Sequence, residues 1–253
     1  MFIISYNTFK EAIRQRLILF SLLIALGLIV ASKYLLRLDL GNDQIKFVFD
    51  FSSGALNFFG IIIAVVSTCS LIASEIENKT IITLLSKSVN SADFVVGKYL
   101  GIVGVLGVFC LAVFISASAM LWFTAMSIDG ASVNFFAFFL YCVLQWLKLC
   151  MCVGVAIVIC SLSKSFLFSV AISFMCVAIC IMGETIAGLG GEDNIASIVA
   201  KYVMPNFQLL DVSEAFIKDN ITLSNFGLLS AYALIYICAC SMLATFFFSK
   251  RDF

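Results

Sequence analysis

Long apolar runs alternate with short polar connections along this chain, and that alternation predicts its architecture. Six runs are long enough, at about 18–20 residues or more, for a helix to cross a bilayer. They cover residues 17–36, 55–73, 98–126, 135–160, 166–189 and 226–248. The pattern predicts an all-α membrane protein, a single transmembrane domain over residues 1–253 built as a bundle of six helices. The polar stretches between them are too short to fold as a separate soluble domain. Lys10, Arg14 and Arg16 precede the first run as they would a signal peptide. No clean small-x-small cleavage site follows, and five more runs do, so the first run is expected to be retained.

Three polar connections carry helical patterns of their own. Ahead of the first run, residues 5–16 place Tyr6, Phe9 and Ile13 on one face, continued by Leu17 and Phe20, with Lys10, Glu11, Arg14 and Gln15 largely opposite. This suits a helix lying along the membrane surface, or equally a charged anchor at the start of the span. The second stretch is the loop at residues 74–97, EIENKTIITLLSKSVNSADFVVGK from Glu75 to Lys98. In it Ile81, Ile82, Leu84 and Leu85 fall within an arc of roughly 160°. Thr80 can cap this short helix, Asn90 or Ser91 can cap the next, and Asp93 sits in that next helix's first turn, where the dipole favours an acid. The apolar face can lie on the bilayer, on the protein's own bundle or in a partner's groove. A surface-bound helix normally carries several basic residues; this one carries Lys87 alone, after Glu75 and Glu77, which favours a protein groove. The third stretch, residues 190–225, holds a stripe of Ile195, Ile198, Val199, Tyr202 and Val203, broken at Pro205-Asn206. A second short helix, carrying Ala215, Phe216 and Ile217, is expected to begin near Asp211 or Ser213.

Charge sets the expected orientation. With the N-terminus inside, Lys10, Arg14, Arg16, Lys79, Lys87, Lys98, Lys164, Lys250 and Arg251 face the cytoplasm. The opposite connections are richer in acids, including Asp39, Asp43, Asp50, Asp129, Asp211 and Glu214. Both termini are then cytoplasmic. Two charges fall inside spans: Lys148 near the middle of the fourth and Glu184 towards the outer end of the fifth. Charges in hydrocarbon are costly and are functional candidates, although a snorkelling or structurally paired lysine accounts for Lys148 equally well.

Composition narrows the chemistry. The 253 residues are 63% hydrophobic and 12% charged, far from the balance of a soluble domain. The net charge of zero gives nucleic acid nothing to bind. With no histidine, His-dependent nucleophile pairs, HExxH zinc sites and His-ligated haem are excluded. No GxxxxGK[ST] loop is present, so ATP hydrolysis requires another chain. The ten cysteines all lie in apolar runs and read as small buried hydrophobes, with CMC and CAC lacking zinc or redox spacing.

Taken in order, several stretches resemble the permeases of the ABC type-2 transporter family. EIENKTI, LLSKSV and VVGKYLG match that family's pattern around the loop after its second span. FKEAIRQRLIL resembles its N-terminal elbow helix, and LKLCMCVGVAIVICSLSKS the end of its fourth span. YVMPNFQLLDV resembles its outer segment and FFFSKRDF its basic C-terminus. The sequence departs at Ser88, where many members carry proline, and at Lys79, where glycine is commoner. The resemblance implies a permease that is itself no enzyme. It would work as a homodimer or heterodimer in a bacterial cytoplasmic membrane, exporting a substrate. Two separate P-loop ATPase subunits would bind ATP and Mg, with no cofactor on this chain. The loop helix becomes a coupling helix, with Glu75, Glu77, Thr80, Ile81, Leu84, Leu85, Lys87 and Lys98 as its site. Phe9, Ile13, Arg14 and Arg16 become the elbow, and Pro205 and Asn206 mark the outer segment. Two rival readings remain: an ion- or proton-coupled transporter using Lys148 and Glu184, and an assembly factor that transmits force without moving a solute.

Overall fold

The computed structural model describes residues 2–35, 44–77, 91–126, 134–163, 165–183, 205–211 and 223–250. The described residues form helices, joined by short irregular stretches and one 3₁₀ turn, with no strand among them. The helices are α1 (Phe2–Ile13), α2 (Arg16–Leu35), α3 (Gln44–Glu77), α4 (Ser91–Ala125), α5 (Phe135–Leu162), α6 (Phe166–Ile181) and α7 (Leu223–Ser249). The 3₁₀ turn, Gln208–Leu210, lies between α6 and α7. In hydrocarbon no water can satisfy a backbone N–H or C=O, so the chain forms helices that satisfy them internally. Polar side chains inside the helices do the same. Ser52 donates to the Val48 carbonyl at 2.7 Å, Thr68 to Ala64 at 2.6 Å and Thr124 to Met120 at 2.8 Å.

α5 is the centre of the bundle. It packs against α3, α4, α6 and α7, and Leu144, Leu149, Cys152, Val153 and Ala156 are fully buried. Asn134 caps its start, accepting from the Ala137 amide at 3.2 Å. The crossing with α3 is close because Gly60 has no side chain: a Cβ there would lie 2.6 Å from a Leu149 methyl. At the periphery, α7 leans on α5 through Gly154 and Cys240, and its end is tied to the start of α4 by stacked Phe94 and Phe248 rings, centroids 5.5 Å apart. Leu228, Ile235 and Met242 on the far side of α7 point outward.

Among the described residues four helices are each long and apolar enough to span a membrane, namely α3, α4, α5 and α7. α1 and α2 together make a fifth, bent by 61°. α6 is apolar but has 16 residues, and the predicted remainder of that span, like most of residues 190–225, lies outside the described residues. Of the six expected spans, the described residues thus give four, or five if the bent pair crosses as one. α3 corrects the predicted boundary: it starts at Gln44, well before residue 55. Asp50 and Ser53 made its first turns read as a connection, yet Ser53, like Asn57 one turn on, is hydrogen-bonded inside the bundle, as described below.

The faces of α1 divide between the bundle and its surroundings. The residues α1 buries fully are Thr8 and Ala12, with Phe9 and Ile13 partly buried beside them, while Tyr6 is exposed. Leu17 and Phe20 lie beyond the bend and no longer share that face, and both point outward. Arg14 and Arg16 are exposed at the bend. The small face of α1 is selected by α4: at Gly101 a Cβ would stand 2.7 Å from Thr8 Cβ and 2.9 Å from the Ser5 carbonyl oxygen. Helix against helix at this spacing leaves room for nothing larger than hydrogen. We expect Gly101→Val to destabilise the protein by about 1–3 kcal/mol through overpacking. A lowered melting temperature of the purified protein would show it. Gly54→Ala, where a Cβ meets nothing within 4 Å, should not lower the melting temperature and, alanine being the better helix former, should raise it slightly.

Candidate functional site

Two polar constellations stand out in a bundle that is otherwise apolar. The first sits where α3 ends and α4 begins, at the two ends of the 78–90 connection. Lys98 Nζ donates to Glu75 Oε1 at 2.7 Å. Lys98 is only 4% exposed, so its ammonium has exchanged water for this carboxylate. The Phe94 ring lies 5.8 Å from the same nitrogen. Close by in the chain, Gln15 in the α1–α2 bend donates to Ser70 of α3 at 2.8 Å. With the Gly101 contact, α1, α3 and α4 are thus tied to one another around the base of this connection.

Of the residues singled out for coupling, the structure brings Glu75 and Lys98 into direct contact. Thr80, Ile81, Leu84, Leu85 and Lys87 lie outside the described residues, and of Glu77 only the backbone position at the end of α3 is described. Phe9 and Ile13 pack against the core beside this site, and Arg14 and Arg16 face outward. Asp93 lies in the first turn of α4, where it was expected.

The second constellation surrounds Lys148. It is the fourteenth of the 28 residues of α5, about 20 Å from either end at 1.5 Å per residue. The residue is 5% exposed. Its Nζ donates to Asn57 Oδ1 on α3 at 3.1 Å and lies 3.6 Å from Asp211 Oδ2, which follows the 3₁₀ turn. One turn earlier on α5, fully buried Gln145 reaches the Leu210 carbonyl and Asp211 Oδ1, each at 3.5 Å. A further turn back, the hydroxyls of Tyr141 and Ser53 are hydrogen-bonded. Asp50 lies within electrostatic range of Lys46 and Asp211.

The acid that meets Lys148 is therefore Asp211, from the segment that begins at Pro205. Glu184 lies outside the described residues. Pro205, Phe207 and Leu210 are buried, and the Asn206 amide donates to Tyr232 of α7 at 2.9 Å, so the segment is packed into the bundle at the depth of mid-α5. Asn206 Oδ1 also accepts from the Gln208 amide at 3.0 Å, closing the turn. Sequence reading missed Asn57, Ser53, Tyr141, Gln145 and Asp211 as partners. A signal was present: Asp50, Ser53 and Asn57 on α3, and Tyr141, Gln145 and Lys148 on α5, recur at helical spacing and form two facing polar stripes.

Buried Cys160 donates to Cys69 at 3.5 Å, and Cys69 lies 3.8 Å from the Ser173 hydroxyl, but among the described residues no three metal-ligating side chains come together. Seven cysteines are buried and Cys176 and Cys240 partly so, but Cys238 is exposed on the outward face of α7, which corrects the expectation that all are buried.

A helical bundle with several spanning helices, one of them centred on a buried lysine, defines a multi-pass membrane protein. The sequence profile of the ABC-2 family transporter proteins matches residues 11–180, more than half of the chain, and the chain belongs to that family. No curated protein sequence matches it. The matched region runs from α1 into the last turn of α6 and contains Glu75, Lys98 and Lys148; Asp211 lies beyond it.

Breaking the first constellation from one side leaves a charge without its partner. We expect Lys98→Met or Glu75→Gln alone to destabilise by about 2 kcal/mol, discounted from a fully buried pair because Glu75 is partly exposed. The double variant should lose less than the sum of the two, with a coupling energy of about 0.5–3 kcal/mol. Melting temperatures of the three variants would measure it. Strict additivity would show that the two charges do not support each other.

Proposed function

We propose that this chain is the membrane-spanning permease subunit of an ABC transporter. It exports a substrate across a bacterial cytoplasmic membrane with both termini inside. Two copies, or this chain and a related one, would pair with two separate P-loop ATPase subunits, which bind ATP and Mg. The chain itself would perform no chemistry. The 78–90 connection would be the coupling element, seating Ile81, Leu84 and Leu85 in a cleft of the ATPase, with Thr80 and Lys87 flanking them.

The observation that carries this reading is the Glu75–Lys98 pair within a chain of this family. A force applied to a loop moves the spans only if the loop's two ends move together. An ion pair across those ends, with Lys98 buried and α1 braced against α4 at Gly101, makes the connection a grip on two helices at once. Movement of the ATPases would then reach α3 and α4 as a rigid displacement, and alternating access would follow as a rearrangement of protomers.

The test is co-expression with the ATPase encoded nearest to this gene. Leu84→Asp combined with Leu85→Asp should remove the ATPase from the purified complex, or lower its activity to that of the free subunit, without lowering the permease's melting temperature. Unchanged co-purification and activity would refute the coupling assignment. Full transport with no ATPase present would instead support the ion-coupled reading.

A further inference from the structure

Among the described residues the two buried lysines are held very differently. Lys98 meets its carboxylate at 2.7 Å, the ordinary length for a charge-assisted bond. Lys148 stands 3.6 Å from Asp211, and the two Gln145 contacts with Leu210 and Asp211 are stretched to 3.5 Å. Yet the arrangement is not random. Lys148 addresses one oxygen of the Asp211 carboxylate and Gln145 the other, so two donors on successive turns of α5 converge on a single anionic group.

That group is carried by non-helical backbone, and its side chain is 36% exposed. Irregular backbone at membrane depth is tolerated only where it is buried in protein or lines a water-filled cavity. An exposed carboxylate at the depth of Lys148 therefore looks onto water, which gives a solute a route to it. Polar demand is also left over. The Oε1 atoms of Gln145 and Gln208 are buried with no hydrogen-bond partner among the described residues.

We propose that Lys148 and Gln145, with Asn57 orienting the lysine, form a subsite for the anionic group of the transported molecule, and that Asp211 occupies it as a tethered stand-in. An anion that also carries a hydrogen-bond donor fits best, because the donor can answer the Gln145 oxygen; a phosphate monoester brings both in one group. Asp50 opposes an anion here, and Lys46 offsets it. Asp211 then keeps the subsite closed until a ligand displaces it, and displacement frees the Pro205–Asp211 segment from α5. The word "transported" rests on the permease reading; the binding does not.

The experiment uses the full-length permease in nanodiscs without ATPase, with dodecyl phosphate, inorganic phosphate and dodecyltrimethylammonium as probes in equilibrium binding. If the site is self-occupied nine-tenths of the time, removing the occupant tightens binding about tenfold. Asp211→Asn should therefore bind dodecyl phosphate about tenfold more tightly than the wild type and leave the ammonium probe unchanged. Adding Lys148→Gln to Asp211→Asn should abolish the gain while keeping the pair uncharged, so that folding is preserved. An equal gain for inorganic phosphate would assign the site to a free anion and a gain for the amphiphile alone to a lipid-like one; both support the subsite. No gain in Asp211→Asn, a gain that survives Lys148→Gln, or an equal gain for the ammonium probe would overturn it. Asp211→Ser guards against an idiosyncratic loss of folding in the asparagine variant. Because these readings need no ATPase, a failure of coupling through Leu84 and Leu85 leaves them standing, and their failure leaves that coupling standing.

Discussion

A hydrocarbon medium offers no hydrogen-bond partner, and the described structure follows from that single deficit. It forces the backbone into helices and turns serine and threonine hydroxyls back onto carbonyls in their own helix. It also obliges each charge retained in the interior to find its complement within the protein. Among the described residues Lys98 and Lys148 are the two places where the sequence accepted this obligation, and in both the complement comes from a different helix or segment. In a soluble protein such pairs would compete with water and contribute little. Here each fixes the relation between elements that apolar packing alone would leave free to slide.

α3 is the common member. It carries Glu75 at one end and Asn57 about 27 Å away along the same helix at 1.5 Å per residue. Ser53, a further turn on, is bonded to Tyr141. An α-helix is stiff over such a length, so an axial shift at the Glu75 end reaches the Lys148 cluster undiminished. The close approach at Gly60, where α3 crosses the central helix α5, supplies a pivot between the two ties. The arrangement is that of a lever with a polar tie on either side of its bearing.

Much of this was legible in the sequence, and the failures have physical causes. Hydropathy located the spans because a run of apolar residues is itself the thermodynamic driving force for insertion. It misplaced the start of α3 because Asp50 and Ser53 look like water-facing residues when considered alone. Tyr141, the partner of Ser53, and Lys148, the partner of Asn57, are over eighty residues away, and pairing across that distance is invisible to a window. The Glu75–Lys98 contact was nearer to hand, since both residues flank one loop and were singled out together. Periodicity marks the apolar face of α1 and is silent on its small face, where Thr8 packs closely against Gly101. Asp211, which meets Lys148, lies in the segment after Pro205, and no hydropathy window joins that segment to α5.

The separation of Lys148 from Asp211 has a consequence during synthesis. A lysine at the centre of a helix opposes release from the translocon by about 2.5–3.5 kcal/mol. The aspartate that compensates it leaves the ribosome about 60 residues later, several seconds at about 5–20 residues per second. In that interval α5 can lean only on what has already been made, and Asn57 on α3 is the polar side chain waiting for it. The nascent chain therefore matures in an order: α3 receives α5 first, and the last part of the polypeptide completes the charge balance.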